Sequence, residues 1–176
     1  MAYYYLVSQL PNISSSEGKT ALPLNTQSFC ELACRFVSDS EKAIINSLSL
    51  VPPRKRVATG SAFLDTWYEK ERNLRFALAQ IRAQKLKKDS LPLPSGCTAD
   101  IISAARTALG MSAEQFLYDY RLNLLDDLRP LDAFSIDSVY AYGLRLMLIE
   151  RMRKFEVENG KTSYHKIYDT ILDGDK

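Results

Sequence analysis

Histidine is almost missing from this chain, with His165 the only one in 176 residues. Its imidazole is the side chain whose charge changes near neutral pH, and most acid–base relays depend on it. His165 has no serine or cysteine nucleophile placed by a recognisable turn to go with it, so the sequence gives no triad logic. Phosphate loops are missing as well, since neither GxGxxG nor GxxxxGK[ST] occurs, which disfavours an ATP-hydrolysing core in this chain. Cysteine is limited to Cys30, Cys34 and Cys97. An odd number in a chain this long fits a reducing compartment better than a disulfide framework. Cys30 and Cys34 are four apart, a spacing that suits two metal ligands, but a structural zinc site wants four, and Cys97 and His165 are isolated. Core packing is the favoured reading for these thiols. No run approaches the ~18 apolar residues of a membrane span. The opening MAYYYLVSQL lacks the basic region of a signal peptide, so a cytoplasmic location is expected.

Glycine and proline are also scarce, seven of each, and the prolines cluster at 11, 23, 52–53, 92–94 and 130. Long breaker-free runs between those points predict an all-α protein with proline-marked joints. The expected architecture is a single helical domain over 1–176, a multi-helix bundle with two long helices and several short ones. Residues 1–90 and 91–176 are its candidate sub-layers. Tyr3–Leu10 is too short to separate strand from helix, and without strands to pair with it reads as a helix or a buried extended anchor.

Asn25 or Thr26 caps a helix bearing Phe29, Leu32, Ala33 and Phe36. Ser38 and Glu41 form a capping box for a helix bearing Ile44, Ile45 and Leu48 that Pro52-Pro53 closes. The first long helix is expected over about Ser61–Lys88, with Phe63, Leu64, Trp67, Leu74, Ala77, Leu78 and Ile81 on one stripe. Glu71 falls inside that stripe, where an unpaired carboxylate is costly to bury, so either water or a basic residue must meet it. Phe76 points the other way. Thr98 caps a helix with Ile101, Ile102 and Ala105 that ends at Gly110, and Ser112-Ala113-Glu114-Gln115 opens another that Pro130 ends. The second long helix spans Ser135–Gly160. Val139, Tyr142, Leu146 and Ile149 form one apolar stripe on it, and Leu144, Leu148, Met152 and Phe155 form another about half a turn away. A helix apolar on two sides needs partners on both. The helix at 61–88 is expected to cover one face, and the short helices at 98–109 and 112–128 much of the other. A last short helix is expected over 163–172.

Charge is unevenly spread. Residues 51–90 carry ten basic and four acidic side chains, whereas 91–137 carry three basic and seven acidic. Arg54, Lys55 and Arg56 and the ladder Arg72, Arg75, Arg82, Lys85, Lys87 and Lys88 make the 54–88 region a candidate nucleic-acid surface. The modest pI of about 8.4 and the lack of a helix-turn-helix or single-strand-binding motif favour a solvated or protein-contacting face instead. Asp126-Asp127 diverge by about 100° on a helix and do not make a paired-carboxylate site.

The stretch Asn73–Leu86, NLRFALAQIRAQKL, resembles a helix of the funnel-shaped stalk subunit of archaeal and bacterial V/A-type ATPases, with its N-L-x6-RA-x-K-L pattern. Asn73, Leu74, Arg82, Ala83, Lys85 and Leu86 are the matching positions. That all-helical funnel couples the rotor stalk to the membrane ring, and this chain is about half its length. YYYLVSQLP, FLDTWYEKERNLR and YGLRLMLIERMRKFEVENG further resemble a short bacterial family encoded beside V-type ATPase genes. The resemblance implies a non-catalytic accessory or stalk component, with V-type ATPase subunits of stalk or membrane ring as partners and peripheral membrane association only through the complex. Arg72, Arg75, Arg82, Lys85, Lys87 and Lys88 are the partner-contact candidates. No catalytic, cofactor-binding or metal-binding residue is assigned, and no cofactor or small-molecule substrate is expected. The alternatives are an unrelated helical adaptor forming a homodimer and, less favoured, a nucleic-acid binder.

Overall fold

A computed structural model describes residues 3–13, 22–89, 92–108 and 113–154. Among these residues every regular element is a helix, as expected: α1 Tyr4–Gln9, α2 Thr26–Ala33, α3 Asp39–Ser47, α4 Ala62–Lys85, α5 Ala99–Thr107, α6 Ala113–Asp127 and α7 Ile136–Arg153. None is long and apolar enough to cross a membrane. The N-terminal segment resolves in favour of helix, α1, whose Leu6 is completely buried.

Local chemistry sets most helix starts. Asn25 Oδ1 accepts the Ser28 N–H at 2.7 Å, Ser61 Oγ accepts the Leu64 N–H at 3.1 Å, and Ser135 Oγ accepts the Ser138 N–H at 3.3 Å. Ser38 and Glu41 form the capping box of α3. Thr98 holds the N-cap position of α5 but its side chain makes no capping bond; its carbonyl accepts the first helical bond, from Ile102 at 3.1 Å. The expected box at Ser112 and the ends at Gly110 and Gly160 lie outside the described residues, as do Phe155, His165 and the 163–172 helix.

Helix α7 is the spine. Val139, Leu144, Leu146, Leu148 and Ile149 are all buried, so both expected stripes are covered from within the chain. The covering helices differ in part from expectation: α6 and α2 pack most extensively on α7, α4 contributes less, and α5 packs chiefly on α4. The reason lies in α5 itself, whose Ile101, Ala104, Ala105 and Ala108 make a narrow, alanine-rich face. That face fits against Leu74, Ala77 and Leu78 in the C-terminal half of α4. Two cores result. The larger joins α1–α3, the start of α4, most of α6 and α7, including Trp67, Phe29 and Tyr140. It draws on both 1–90 and 91–176. The smaller lies between the end of α4, α5 and the start of α6.

Polar ties brace the spine at both ends. Ser61, the cap of α4, donates to Asp137 Oδ1 in the first turn of α7 at 2.6 Å. Near the other end Glu150 accepts from the Thr26 N–H at 2.8 Å and hydroxyl at 2.6 Å, closing the start of α2. Tyr142 donates its hydroxyl to the Pro11 carbonyl at 2.9 Å, which holds the exit of α1.

Candidate interaction surface on helix α4

Helix α4 passes through both cores, and its polar residues sort into three groups by what they touch. Glu71 is fully buried where the cores meet, and two arginines answer it. Arg121 of α6 makes a forked pair, Nε to Oε2 and Nη2 to Oε1, both at 2.9 Å. Arg75 adds Nε to Oε1 at 2.8 Å from one turn along. The carboxylate thus has full charge-assisted hydrogen bonding where an unpaired one is prohibitive. Of the two outcomes open to Glu71, a basic partner is the one realised. Arg121 went unrecognised in the sequence, although a signal existed. It lies in the apolar stripe of α6, four residues after Leu117 and three before Leu124, as Glu71 lies in that of α4.

The second group pins the joint before α4 against the helix. Arg72 donates from Nη2 to the Pro53 carbonyl at 2.8 Å and pairs with Glu69 at 3.2 Å. Arg75 reaches the Leu50 carbonyl at 3.3 Å, and Arg56 pairs with Glu69 at 2.8 Å. Tyr68 accepts the Ser49 N–H at 3.4 Å. Residues 49–56 therefore run along one side of α4. Arg72 and Arg75, expected as partner contacts, both make hydrogen bonds within the chain at this seam, Arg75 staying partly exposed.

The third group is the C-terminal end of α4. Arg82, Lys85, Lys87 and Lys88 are all exposed, together with Leu86, in the last turn of α4 and the residues directly after it. Phe76, expected on the far side of the helix, is 47% exposed there. The positions of the N-L-x6-RA-x-K-L pattern divide accordingly. Asn73 and Leu74 are buried, with Asn73 Nδ2 donating to the Gly96 carbonyl at 3.1 Å. That contact needs glycine, because a Cβ at position 96 would lie 2.5 Å from the amide nitrogen. Arg82, Lys85 and Leu86 face outward.

Elsewhere the chemistry is sparse. Burial first, then Cys34, Glu150 and Glu31, raises the Cys30 pKa, and burial followed by Glu69 does the same for Cys97. Both are held as thiols at neutral pH, whereas nucleophiles and metal ligands are thiolates. Among the described residues no three His, Cys, Asp or Glu side chains converge as a metal site. Asp126 meets Arg145 of α7 rather than its neighbour Asp127. A groove of about 480 Å³ lies between the end of α1, the end of α6 and α7, and its walls include Ile13, Arg129, Tyr142 and the Asp126–Arg145 pair. Its Tyr142 hydroxyl and Arg145 are already engaged within the chain.

Residues 98–175 match the model of a family described as "Protein of unknown function (DUF2764)". No curated protein and no solved structure matches the chain. The matched stretch begins at the N-cap of α5, so α4 and its cationic end precede it. Over fewer than half of its residues, then, the chain is similar to that family.

Proposed function

We propose that the chain is a non-catalytic accessory or stalk-coupling component of a bacterial V/A-type ATPase, similar to its stalk funnel and acting by protein–protein contact. The carrying observation is the division within α4: the funnel-like segment runs from a buried Asn73-Leu74 into an outward Arg82, Lys85 and Leu86. A segment whose inner side is committed to its own core, while side chains at its outer end are exposed, suits a helix that docks on something else. On this reading the chain meets the membrane only through the complex.

The test is purification of the tagged chain from detergent-solubilised membranes of its native host at native expression. ATPase subunits are expected to co-purify stoichiometrically and to be lost from a variant carrying Arg82→Glu and Lys85→Glu. ATPase subunits missing from the wild-type preparation would overturn the assignment.

A further inference from the structure

The outer side of α4 is covered along its first half by residues 49–56, whereas along its second half Phe76, Ala79 and Leu86 are exposed. Residues 49–56 lie against the helix through Tyr68, Arg72 and Arg75, and Arg75 marks the last of these contacts. Immediately beyond it come Phe76, Ala79, Ala83 and Leu86. At about 100° per residue these four fall within an arc of roughly 80°, on the side away from Trp67 and Leu78, and span about 15 Å of helix. Phe76 and Leu86 are 47% and 67% exposed, and Ala79 is exposed between them. An apolar strip of this kind flanked by charge is the pattern of a helix-docking face.

The cations say what kind of helix fits. Arg82 stands about 40° from Leu86 around the helix, Lys87 and Lys88 follow Leu86 in the chain, and the exposed Lys85 lies about 100° away at the outer margin of the strip, with Asp89 the adjoining acid. A helix C-terminus carries only about half a negative charge, so four cations exceed what the end of α4 itself needs. A nucleic-acid backbone would use these cations but gain nothing from Phe76, Ala79 and Leu86. We infer that the Phe76–Lys88 face of α4 is a docking site for an amphipathic helix of another protein, with an apolar seam laid on Phe76, Ala79 and Leu86 and acidic residues set against Arg82 and Lys85. The inference rests on α4 being a contact surface, but not on the partner being an ATPase.

The test is photo-crosslinking in the native host, with p-benzoylphenylalanine replacing Ala79 in the full chain and the joined peptide sequenced by mass spectrometry. The expected adduct is a segment of a second protein with apolar residues at helical spacing and flanking Asp or Glu. Its yield should fall at least tenfold with Arg82→Glu and Lys85→Glu, and less than twofold with Lys55→Glu on the exposed joint. An adduct to a second copy of this chain, to residues 155–176 of the same chain or to nucleic acid overturns the inference, and so does no adduct above a probe at Asn123. An acidic-helix adduct from a protein unrelated to ATPases keeps the docking site and removes the ATPase assignment. Co-purifying ATPase subunits without an Ala79 adduct do the reverse.

Discussion

Glu71 has no access to water, and its two arginines differ in what they can do without it. Arg75 is partly exposed and also holds the Leu50 carbonyl, whereas Arg121 is nearly as buried as the carboxylate it grips. Removing one member of a buried pair strands the other, at a cost of about 3–5 kcal/mol, while replacing both by apolar groups of similar size is often close to neutral. Arg121→Met is therefore expected to lower unfolding free energy by about 3–5 kcal/mol in urea titrations. Glu71→Leu combined with Arg121→Met should recover most of that loss. Equal losses for the single and double variants would show that packing, not charge, dominates the site. The sequence reveals half of this arrangement. A carboxylate inside an apolar stripe announces that it needs a cation, because that demand is local. Which cation answers is not local: Arg121 is fifty positions away, and its distance from Glu71 is set by how α6 crosses α4. That Arg72 and Arg75 bond to the preceding joint while Arg82 and Lys85 are exposed is not legible in the sequence for the same reason. Nothing in a helical ladder of cations says which ones the preceding joint folds back to meet.

At the scale of helices, the contacts between elements are decided by small groups in fixed places. Gly143 in the middle of α7 lets α2 approach, since a Cβ there would lie 2.7 Å from Cε1 of the buried Phe29 ring and 3.1 Å from Leu48 Cδ1. Alanine would gain up to about 1 kcal/mol in helix propensity, but overpacking a buried ring costs about 1–3 kcal/mol. Gly143→Ala should therefore be net destabilising in thermal unfolding, and Phe29→Leu in the same chain should relieve part of the penalty. The α1–α3 contact has a pH signature instead. The Tyr3 hydroxyl donates to Glu41, and that bond, followed by burial and the Glu41 charge, pushes the phenol up to about 12. Burial pushes the Glu41 carboxyl up, but the bonds from Tyr3 and from both the side chain and backbone of Ser38 outweigh it, leaving its pKa below the ordinary 4.5. A carboxyl lowered by folding stabilises above its unfolded value and loses that contribution as pH falls through its folded one. The stability gap between wild type and Glu41→Gln should thus shrink as pH drops below about 4.5, read as converging unfolding midpoints. Burial also raises Tyr140 and Tyr142 to about 12. Raised phenols stabilise fully below pH ~10 and lose that contribution between ~10 and ~12, so alkaline unfolding is expected in that window. Helix starts were legible because a cap is a bond between a side chain and its own backbone, as at Asn25, Ser38 and Ser135. The seat of α5 was not, because an apolar stripe states that a partner is needed without stating which.

At the scale of the molecule, the two cores differ in substance, and the difference predicts the order in which they open. The larger core buries Phe29, Trp67 and Tyr140 around α7 and ties α7 to α2 and α4 through Glu150 and Asp137. Among the described residues the smaller is built from alanine, leucine and isoleucine, with Ala77, Ala104, Ala105 and Ala108 among its buried members and no buried aromatic residue. Stabilisation scales with apolar area removed from water, at about 25 cal/mol per Å², and an alanine removes little. Regions with less of it open at lower free energy than the global transition. Native-state hydrogen exchange should therefore find the α5 amides released by a partial opening, while the amides of Leu144–Ile149 exchange only with global unfolding. The Glu71–Arg121 pair sits where the two cores meet and ties α4 to α6, two helices that run through both, so it couples the two regions. Arg121→Met should lower the opening free energy of α5 more than that of α7, widening the gap between them. Uniform protection across α5 and α7, in wild type and variant alike, would show a single cooperative unit. A stable spine with a softer flank also bears on the docking face. Phe76–Leu86 lies over the smaller core, so a helix bound there would brace the part of the molecule with least burial of its own. Saturation with such a partner should slow exchange in α5 and the end of α4, and in α7 as well, because the global unfolding that exposes α7 also releases the partner; unchanged α5 exchange would show that its partial opening leaves the docking face intact.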